Sequence, residues 1–186
     1  MTCLCLGPKR SGKTHLLKAL QDFKNVDFTT YSMPTIGTSI YTIKFPKKTP
    51  PPTKTTETKV IPKKKKDPKT CIDIIEIGGS MAPMWNKFFS NVKKIIYVVD
   101  TSNLCQISAA GVLLYSILAE PKLQKTKFLL VLTKMDYAYR QMRNEALLMM
   151  QMSKLQKEIS QSLTIVEVSS ITKDGFDKVY EWLEKS

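Results

Sequence analysis

The sequence predicts a single α/β domain, with a mostly parallel six-stranded sheet flanked by helices. Six short apolar runs have the length and composition of strands. Most of them are separated by stretches whose apolar residues follow a helical spacing. The runs at 94–99 and 127–132 are continuously apolar, which is typical of central strands buried on both faces. At 186 residues, the chain has the length of one domain.

The first half of the chain supplies three strands and one helix. The run at Thr2–Leu6 is followed by a helical pattern from about Lys13, whose leucines fall on one face. Residues 39–45 alternate in character as a strand does, and residues 70–77 form the next strand. Because no helix separates these two strands, we expect them to pair antiparallel.

The second half alternates strands with helices. The strands at 94–99, 127–132 and 164–168 are separated by helical patterns at 104–119 and 142–160, and a last helix covers 175–184. Pro121 stops the first of these helices. Such alternation is typical of a doubly wound sheet.

Residues 46–70 differ from the rest of the chain. They hold six of the ten prolines and nine lysines against Glu57 and Asp67, a net charge of +7 of the chain's +13. With so few apolar residues, this segment cannot offset the entropy of ordering. We expect a disordered basic insert between two strands of one domain that covers residues 1–186.

The four cysteines predict no metal site and no disulfide framework. No C-x-x-C pair occurs, and the only histidine is His15, which we expect on the surface of the first helix. Cys3 and Cys71 lie in apolar strand runs, so we expect buried, reduced thiols. No secretory signal is recognised, and the longest apolar runs of five residues are too short to cross a bilayer. We expect a cytoplasmic, monomeric protein.

A phosphate-binding loop lies between the first strand and the first helix. Residues 7–14 read GPKRSGKT and match the pattern G-x-x-x-x-G-K-[ST]. In such a loop, successive backbone N–H groups and the helix N-terminus face a phosphate chain. Lys13 would reach the β- and γ-phosphates, and the hydroxyl of Thr14 would bind Mg²⁺. The pattern predicts nucleotide binding by Gly7, Lys9, Arg10, Ser11, Gly12, Lys13 and Thr14.

A second motif indicates which base is bound. Thr133, Lys134 and Asp136 form a T-K-x-D pattern directly after the strand at 127–132. A carboxylate at this position accepts two hydrogen bonds from guanine, whereas adenine offers no such pair of donors. Together with the phosphate-binding loop, this motif predicts GTP or GDP as the ligand.

Four further segments resemble the ADP-ribosylation-factor-like (Arf-like) GTPases, which are P-loop NTPases with a Ras-like G domain. Residues 34–38 read PTIGT, residues 76–79 read EIGG, residues 83–85 read PMW and residues 97–100 read YVVD. The spacing after the paired glycines and the expected lack of an N-terminal helix most resemble the Arf-like 16 branch. By this resemblance, residues 29–39 are switch I and residues 78–86 are switch II.

The resemblance also implies roles for individual residues. Thr35 would bind Mg²⁺ and the γ-phosphate, Gly79 would bind the γ-phosphate, and Glu76 would hold Mg²⁺ through water. Ser169 and Ser170 lie in the loop that contacts the base. Trp85, the Tyr41 strand and the Cys71 strand would form the surface that effectors read.

Three departures from the family predict slow GTP hydrolysis. Ser80 occupies the catalytic position where the family has the glutamine that orients the attacking water. Glu76 replaces an aspartate. Lys9 and Arg10 occupy loop positions that are usually small or acidic. We therefore expect weak enzymatic activity, with slow conversion of GTP to GDP and phosphate.

Membrane contact would need a route different from that of the Arf proteins. Thr2 does not fit the myristoylation pattern, and no amphipathic N-terminal helix is expected. The basic insert offers one route, a weak and transient contact with anionic lipid. The same composition is compatible with a solvated loop, which we prefer, and with docking of a partner protein. Nucleic acid is disfavoured because the insert lacks aromatic residues.

The favoured function is a GTP/GDP-dependent switch in intracellular membrane or ciliary protein traffic, with effector, exchange and GTPase-activating proteins as partners. The alternative is a nucleotide-bound scaffold that binds partners without cycling. A P-loop kinase is disfavoured because the chain lacks an arginine-rich lid and because residues 133–136 would then have no role.

Overall fold

A six-stranded sheet forms the centre of the structure, a computed structural model that describes residues 2–27, 29–45, 71–138 and 140–185. The predicted insert at 46–70 lies outside the described residues. The strands are β1 (Thr2–Leu6), β2 (Thr38–Lys44), β3 (Cys71–Ile77), β4 (Val92–Asp100), β5 (Lys127–Thr133) and β6 (Leu163–Glu167).

The sheet has the order β2-β3-β1-β4-β5-β6. β2 and β3 pair antiparallel, from Thr38 opposite Ile77 to Lys44 opposite Cys71. All other neighbours are parallel. The predicted antiparallel pair is therefore confirmed, and so are the central strands. In β4 and β5, side chains are buried on both faces, as their continuous apolar sequence predicts.

Helices cover both faces of the sheet. They are α1 (Lys13–Gln21), α2 (Leu104–Leu118), α3 (Arg140–Met149), α4 (Met152–Glu158) and α5 (Phe176–Glu184). One apolar cluster packs α2, α3 and α4 on one face, and a second packs α1 and α5 on the other. A 3-10 helix at Gly79–Phe88 includes most of switch II and extends two residues beyond it.

Two predictions from the sequence were wrong. The helical pattern at 142–160 is broken into α3 and α4, because Gln151 adopts a left-handed conformation with φ of 49°. Cys71 is exposed instead of buried. In β3, Ile72, Ile74 and Glu76 share the buried face, and the side chain of Cys71 points to the other face.

Lys94 joins β4 to the end of α5. Its side chain is 2% exposed, and its Nζ donates to the carbonyls of Trp182 (3.1 Å), Leu183 (2.7 Å) and Lys185 (2.6 Å). The last carbonyls of a helix have no partner within the helix. Lys94 therefore satisfies the C-terminal end of α5 and holds it against the start of β4.

Within the described part of the chain, no helix combines the length and the apolar character that crossing a membrane requires.

Candidate functional site

The two predicted nucleotide motifs meet at the edge of the sheet where the parallel strands end. The phosphate-binding loop joins β1 to α1, and its backbone passes very close to β4. A Cβ atom on Gly7 would lie 2.3 Å from the carbonyl oxygen of Val98. Gly12 starts α1 with φ of 91°, a left-handed conformation that suits glycine. The glycines at both ends of the motif are therefore needed by the fold of this loop.

Lys13 lies inside the loop. Its side chain is buried, and Nζ donates to the carbonyls of Gly7 (3.0 Å) and Pro8 (2.7 Å). Burial lowers the pKa of Lys13, and the negative charge of Glu76 acts in the opposite direction. An ammonium held at this position supplies a fixed positive charge to a phosphate chain in the loop.

Three side chains from distant parts of the chain converge beside the loop. Oε1 of Glu76 accepts hydrogen bonds from the hydroxyls of Thr14 (2.7 Å) and Thr35 (3.0 Å). The two hydroxyl oxygens are 3.2 Å apart. This cluster joins α1, switch I and the end of β3, so the position of Thr35 is linked directly to the phosphate-binding loop.

The chemistry of this cluster fits Mg²⁺. Hydroxyl and carboxylate oxygens are the ligands that Mg²⁺ prefers. Oε2 of Glu76 is buried without a hydrogen-bond partner in the described structure, so this oxygen is available to a cation or to its bound water. The described residues contain no group of three or more His, Cys, Asp or Glu side chains that could hold a metal ion alone. An ion here would therefore complete its shell with water and phosphate oxygens.

Tyr41 on β2 is a further neighbour of Glu76. Its pairing partner is Ile74, which precedes Glu76 by two residues on the same face of β3. Burial, followed by the negative charge of Glu76, raises the pKa of Tyr41 to about 12. Tyr41 therefore stays a neutral phenol beside this carboxylate at physiological pH.

The paired glycines of switch II pack against both switch I and the phosphate-binding loop. The N–H of Gly78 donates to the carbonyl of Gly37 over 3.0 Å, and a Cβ on Gly78 would lie 2.3 Å from the carbonyl oxygen of Thr35. A Cβ on Gly79 would lie 2.5 Å from the backbone nitrogen of Lys9. This close packing requires glycine and brings both switches together.

Thr133 and Lys134, at the end of β5, make side-chain contacts with neighbouring segments. The hydroxyl of Thr133 donates to the carbonyls of Ser11 (2.7 Å) and Val99 (3.0 Å). Nζ of Lys134 pairs with Asp100 at the end of β4 over 2.5 Å. The contact with Ser11 fixes the end of β5 against the phosphate-binding loop, and the other two fix it against the end of β4.

Asp136 lies in an exposed turn, and its Oδ1 accepts a hydrogen bond of 2.7 Å from the hydroxyl of Ser169. The same serine oxygen accepts from the N–H groups of Ile171 (3.3 Å) and Thr172 (3.1 Å). Ser169 therefore orients Asp136, and Ser170 follows in the same loop. The two predicted base-contacting segments lie together.

The remaining predicted residues lie around the mouth of the site. Lys9 and Arg10 are exposed, and Arg10 has φ of 62°. Ser80 is exposed at the start of the 3-10 helix. Ser11 is buried, and its hydroxyl has no partner among the described residues.

The structure adds contacts that sequence reasoning missed. The sequence indicates Asp100 only as part of a strand end and gives no sign of its pairing with Lys134. His15 is half-buried, and its Nε2 lies 2.7 Å from the carbonyl oxygen of Thr30 in switch I. Trp85 is 2% exposed, and its Nε1 donates to the carbonyl of Gly78 over 3.3 Å. In this structure, Trp85 supports switch II from the core and offers no surface to a partner.

Comparisons with known proteins agree with this geometry. The model of the ADP-ribosylation factor family matches residues 1–186. The chain is 28% identical to human ADP-ribosylation factor-like protein 16, over 98% of this chain and 84% of that protein. It is 24% identical to ADP-ribosylation factor-like protein 3 of Saccharomyces cerevisiae, over 97% and 82% of the two chains.

Among solved structures, the chain resembles the Arl6 BBS3 small GTPase from Trypanosoma brucei, determined with the bound nucleotide analogue GppNp. The TM-score is 0.71 with 16% sequence identity, and the match covers 100% of this chain and 95% of the other. At this identity, the likeness shows the fold, a Ras-like G domain.

Proposed function

The chain belongs to the ADP-ribosylation factor family of small GTP-binding proteins, and on that premise we propose that it is a GTP/GDP-dependent switch with slow intrinsic hydrolysis. We propose further that it acts in intracellular membrane or ciliary protein traffic, from the cytoplasm and with transient membrane contact. Effector, exchange and GTPase-activating proteins would be its partners.

The convergence of Thr14, Thr35 and Glu76 carries the proposal. Thr14 belongs to the phosphate-binding loop, Thr35 to switch I and Glu76 to the strand before switch II, yet their oxygens lie within 2.7–3.2 Å of one another. A bound Mg²⁺ would supply positive charge to the phosphate oxygens of GTP. If loss of the γ-phosphate opens switch I, Thr35 would move away from this point, and the nucleotide and the switch would then be coupled.

The residues around the γ-phosphate position explain why hydrolysis would be slow. A serine hydroxyl at Ser80 is too short to orient an attacking water as glutamine does. Lys9 and Arg10 add positive charge at the mouth of the site. Their charges favour binding of a triphosphate without positioning a nucleophile.

A second candidate is the scaffold that does not cycle, and Ser80 and Glu76 favour it. Switch I is held by contacts within the protein itself, namely the Thr35–Glu76 and Gly37–Gly78 hydrogen bonds. If these contacts suffice to keep switch I closed, the protein would bind partners with either nucleotide.

Nucleotide content and turnover on one purified sample distinguish the two candidates. The bound nucleotide is extracted, and loss of the γ-phosphate from loaded GTP is followed in a single turnover. We expect bound guanine nucleotide and slow hydrolysis that is lost in Lys13→Ala. GTP retained without turnover, with partner binding equal for GDP and GTP, would favour the scaffold. Absence of guanine nucleotide in the presence of Mg²⁺ would overturn both.

A further inference from the structure

A lysine-lined cavity lies at the end of the sheet opposite the nucleotide site. It has a volume of about 350 Å³, and it is formed by two segments, 91–94 at the start of β4 and 122–127 at the start of β5. Val92 and Asp100 are eight residue steps apart along β4, so the cavity is roughly 26 Å from the strand ends that carry the nucleotide motifs. It is therefore independent of the site described above.

All the charged side chains that line this cavity are positive. Five of its lining residues are lysines: Lys93, Lys94, Lys122, Lys125 and Lys127. Among the described residues, no acidic side chain lines it. The chain has a net charge of +13, of which residues 46–70 contribute +7, leaving +6 for the remainder. Five of the 20 basic residues outside the insert therefore line one concave place.

The fold holds this charge in position. The side chain of Lys94 is 2% exposed, and three backbone carbonyls at the end of α5 accept its hydrogen bonds, so this lining residue is fixed against α5. The hydroxyl of Thr126 donates to the carbonyl of Val92 over 3.1 Å and ties the two lining segments together. The two segments that form the cavity are therefore held together by the fold at this end of the sheet.

Lys93, Lys122 and Lys125 form the rim and are exposed. Within the described structure, the side chains of these three lysines make no hydrogen bond or ion pair, so their ammonium groups are available to a ligand. Like charges gathered without partners repel each other, and an anion with several negative charges relieves that repulsion. The cavity is at the small end of the range for small-molecule sites.

We propose that this cavity binds a small, multiply phosphorylated anion, either free or as the headgroup of a lipid. The rim lysines bind the phosphates. The proposal does not depend on the nucleotide site or on the switch function.

Inositol hexakisphosphate is the probe for a calorimetric titration of the full GDP-loaded chain at about 0.15 M salt, where long-range charge effects are screened. The test variant is K93Q/K122Q/K125Q. The matched control, K24Q/K157Q/K178Q, removes the same charge from exposed lysines elsewhere. Retention of GDP and the melting temperature check that both variants are folded.

We expect the rim variant to bind the probe at least about tenfold more weakly, and the control to change by less than about twofold. Equal weakening in both variants, or none in either, would overturn the proposal and assign binding to overall charge or to the insert. Failure of the unchanged protein to bind the probe would also overturn it.

Sedimentation with phosphatidylcholine vesicles that contain phosphatidylinositol bisphosphate separates the two sources of the ligand. Vesicle binding that the rim variant loses and the control keeps identifies a lipid headgroup. Binding of the soluble probe without vesicle binding identifies a free anion. Vesicle binding that both variants keep would place membrane contact elsewhere and overturn the lipid arm of the proposal.

Discussion

At the scale of single residues, Glu76 has the most consequential position in the molecule. One of its carboxylate oxygens accepts from Thr14 and Thr35, and the other is buried without a partner in the described structure. The same side chain lies near Tyr41 and contributes to raising the pKa of that phenol to about 12. A single carboxylate thus joins the phosphate-binding loop, switch I and β2.

Changing Glu76 to Gln tests its charge while keeping its shape. An amide oxygen can still accept both hydroxyl hydrogen bonds, but the negative charge that we propose attracts Mg²⁺ is lost. We expect the Mg²⁺ concentration needed to retain a fluorescent GDP analogue to rise about tenfold, equivalent to ~1.4 kcal/mol. Asp73→Asn, on the same strand but exposed, is the control. Equal behaviour of the two variants would contradict a role in Mg²⁺ binding.

Changing Ser80 to Gln tests the proposal that Ser80 makes GTP hydrolysis slow. The longer amide can orient a water toward the γ-phosphate, and positioned groups of this kind contribute large rate factors. We expect single-turnover hydrolysis of GTP to rise by at least about tenfold. Ser90→Gln, exposed beyond switch II, should leave the rate unchanged. An unaltered rate in Ser80→Gln would mean that another residue limits hydrolysis.

The four cysteines should divide into two reactive and two protected thiols. Cys71 and Cys105 are exposed, whereas Cys3 and Cys5 are buried in β1. Burial raises the pKa of Cys3 to about 12 and that of Cys5 well above its usual value. Because a raised pKa leaves less thiolate, moving from about pH 7 to about pH 9 should not make either one react. Maleimide labelling followed by mass spectrometry checks this. Labelling of Cys3 or Cys5 in the folded protein at the higher pH would contradict it.

At the scale of elements, the break between α3 and α4 shows how packing overrides a helical pattern. Met150 and Met152 are both buried, and a Cβ on Gly111 of α2 would lie 3.5 Å from Met150. In between, Gln151 takes the left-handed conformation, which carries both methionines toward the core. Its backbone strain is offset by the burial of its neighbours.

Changing Gln151 to Gly should stabilise the protein. The left-handed conformation costs a non-glycine residue ~1–2 kcal/mol. Glycine avoids this cost, but it loses more backbone entropy on folding, which destabilises the folded state by ~0.5–1 kcal/mol. We expect a net gain of about 0.5–1 kcal/mol in the free energy of unfolding, measured by urea denaturation. Gln156→Gly, at an exposed position inside α4, should destabilise instead. Destabilisation by Gln151→Gly would show that the left-handed turn carries no strain.

At the scale of the whole molecule, the nucleotide site exists only in the folded sheet. Its parts come from the ends of β1, β3 and β5 and from the loop after β6, which are far apart in the sequence. A ligand that binds only the folded chain raises its stability by mass action. Guanine nucleotide should therefore stabilise the entire domain as one unit.

The melting temperature should rise with GDP and Mg²⁺ but not with ATP. At about a hundredfold excess over the dissociation constant, stabilisation is ~2.7 kcal/mol, or about 5–10 °C for a chain of this length. Asp136→Asn removes the carboxylate that we propose as the acceptor of the guanine N–H groups, so the GDP shift should be lost. Asp177→Asn, exposed on α5, should keep it. An equal shift with ATP would contradict recognition of guanine through Asp136.

The sequence by itself determined the fold class, the position of nearly every strand and the two nucleotide motifs. These are local properties, because each can be recognised within a few residues: the strand periodicity, the glycine spacing at 7–12 and the T-K-x-D turn at 133–136. The family resemblance read from them is confirmed by the match over residues 1–186.

Only the tertiary structure decided the contacts between distant segments. Thr14 and Glu76 are 62 residues apart, and the lysine cavity joins segments at 91–94 and 122–127. The exposure of Cys71 and the turn at Gln151 depend on which face of an element is covered, and no local pattern records this. Burial, charge clustering and hydrogen bonding across the sheet arise from packing, so they become visible only when the chain is folded.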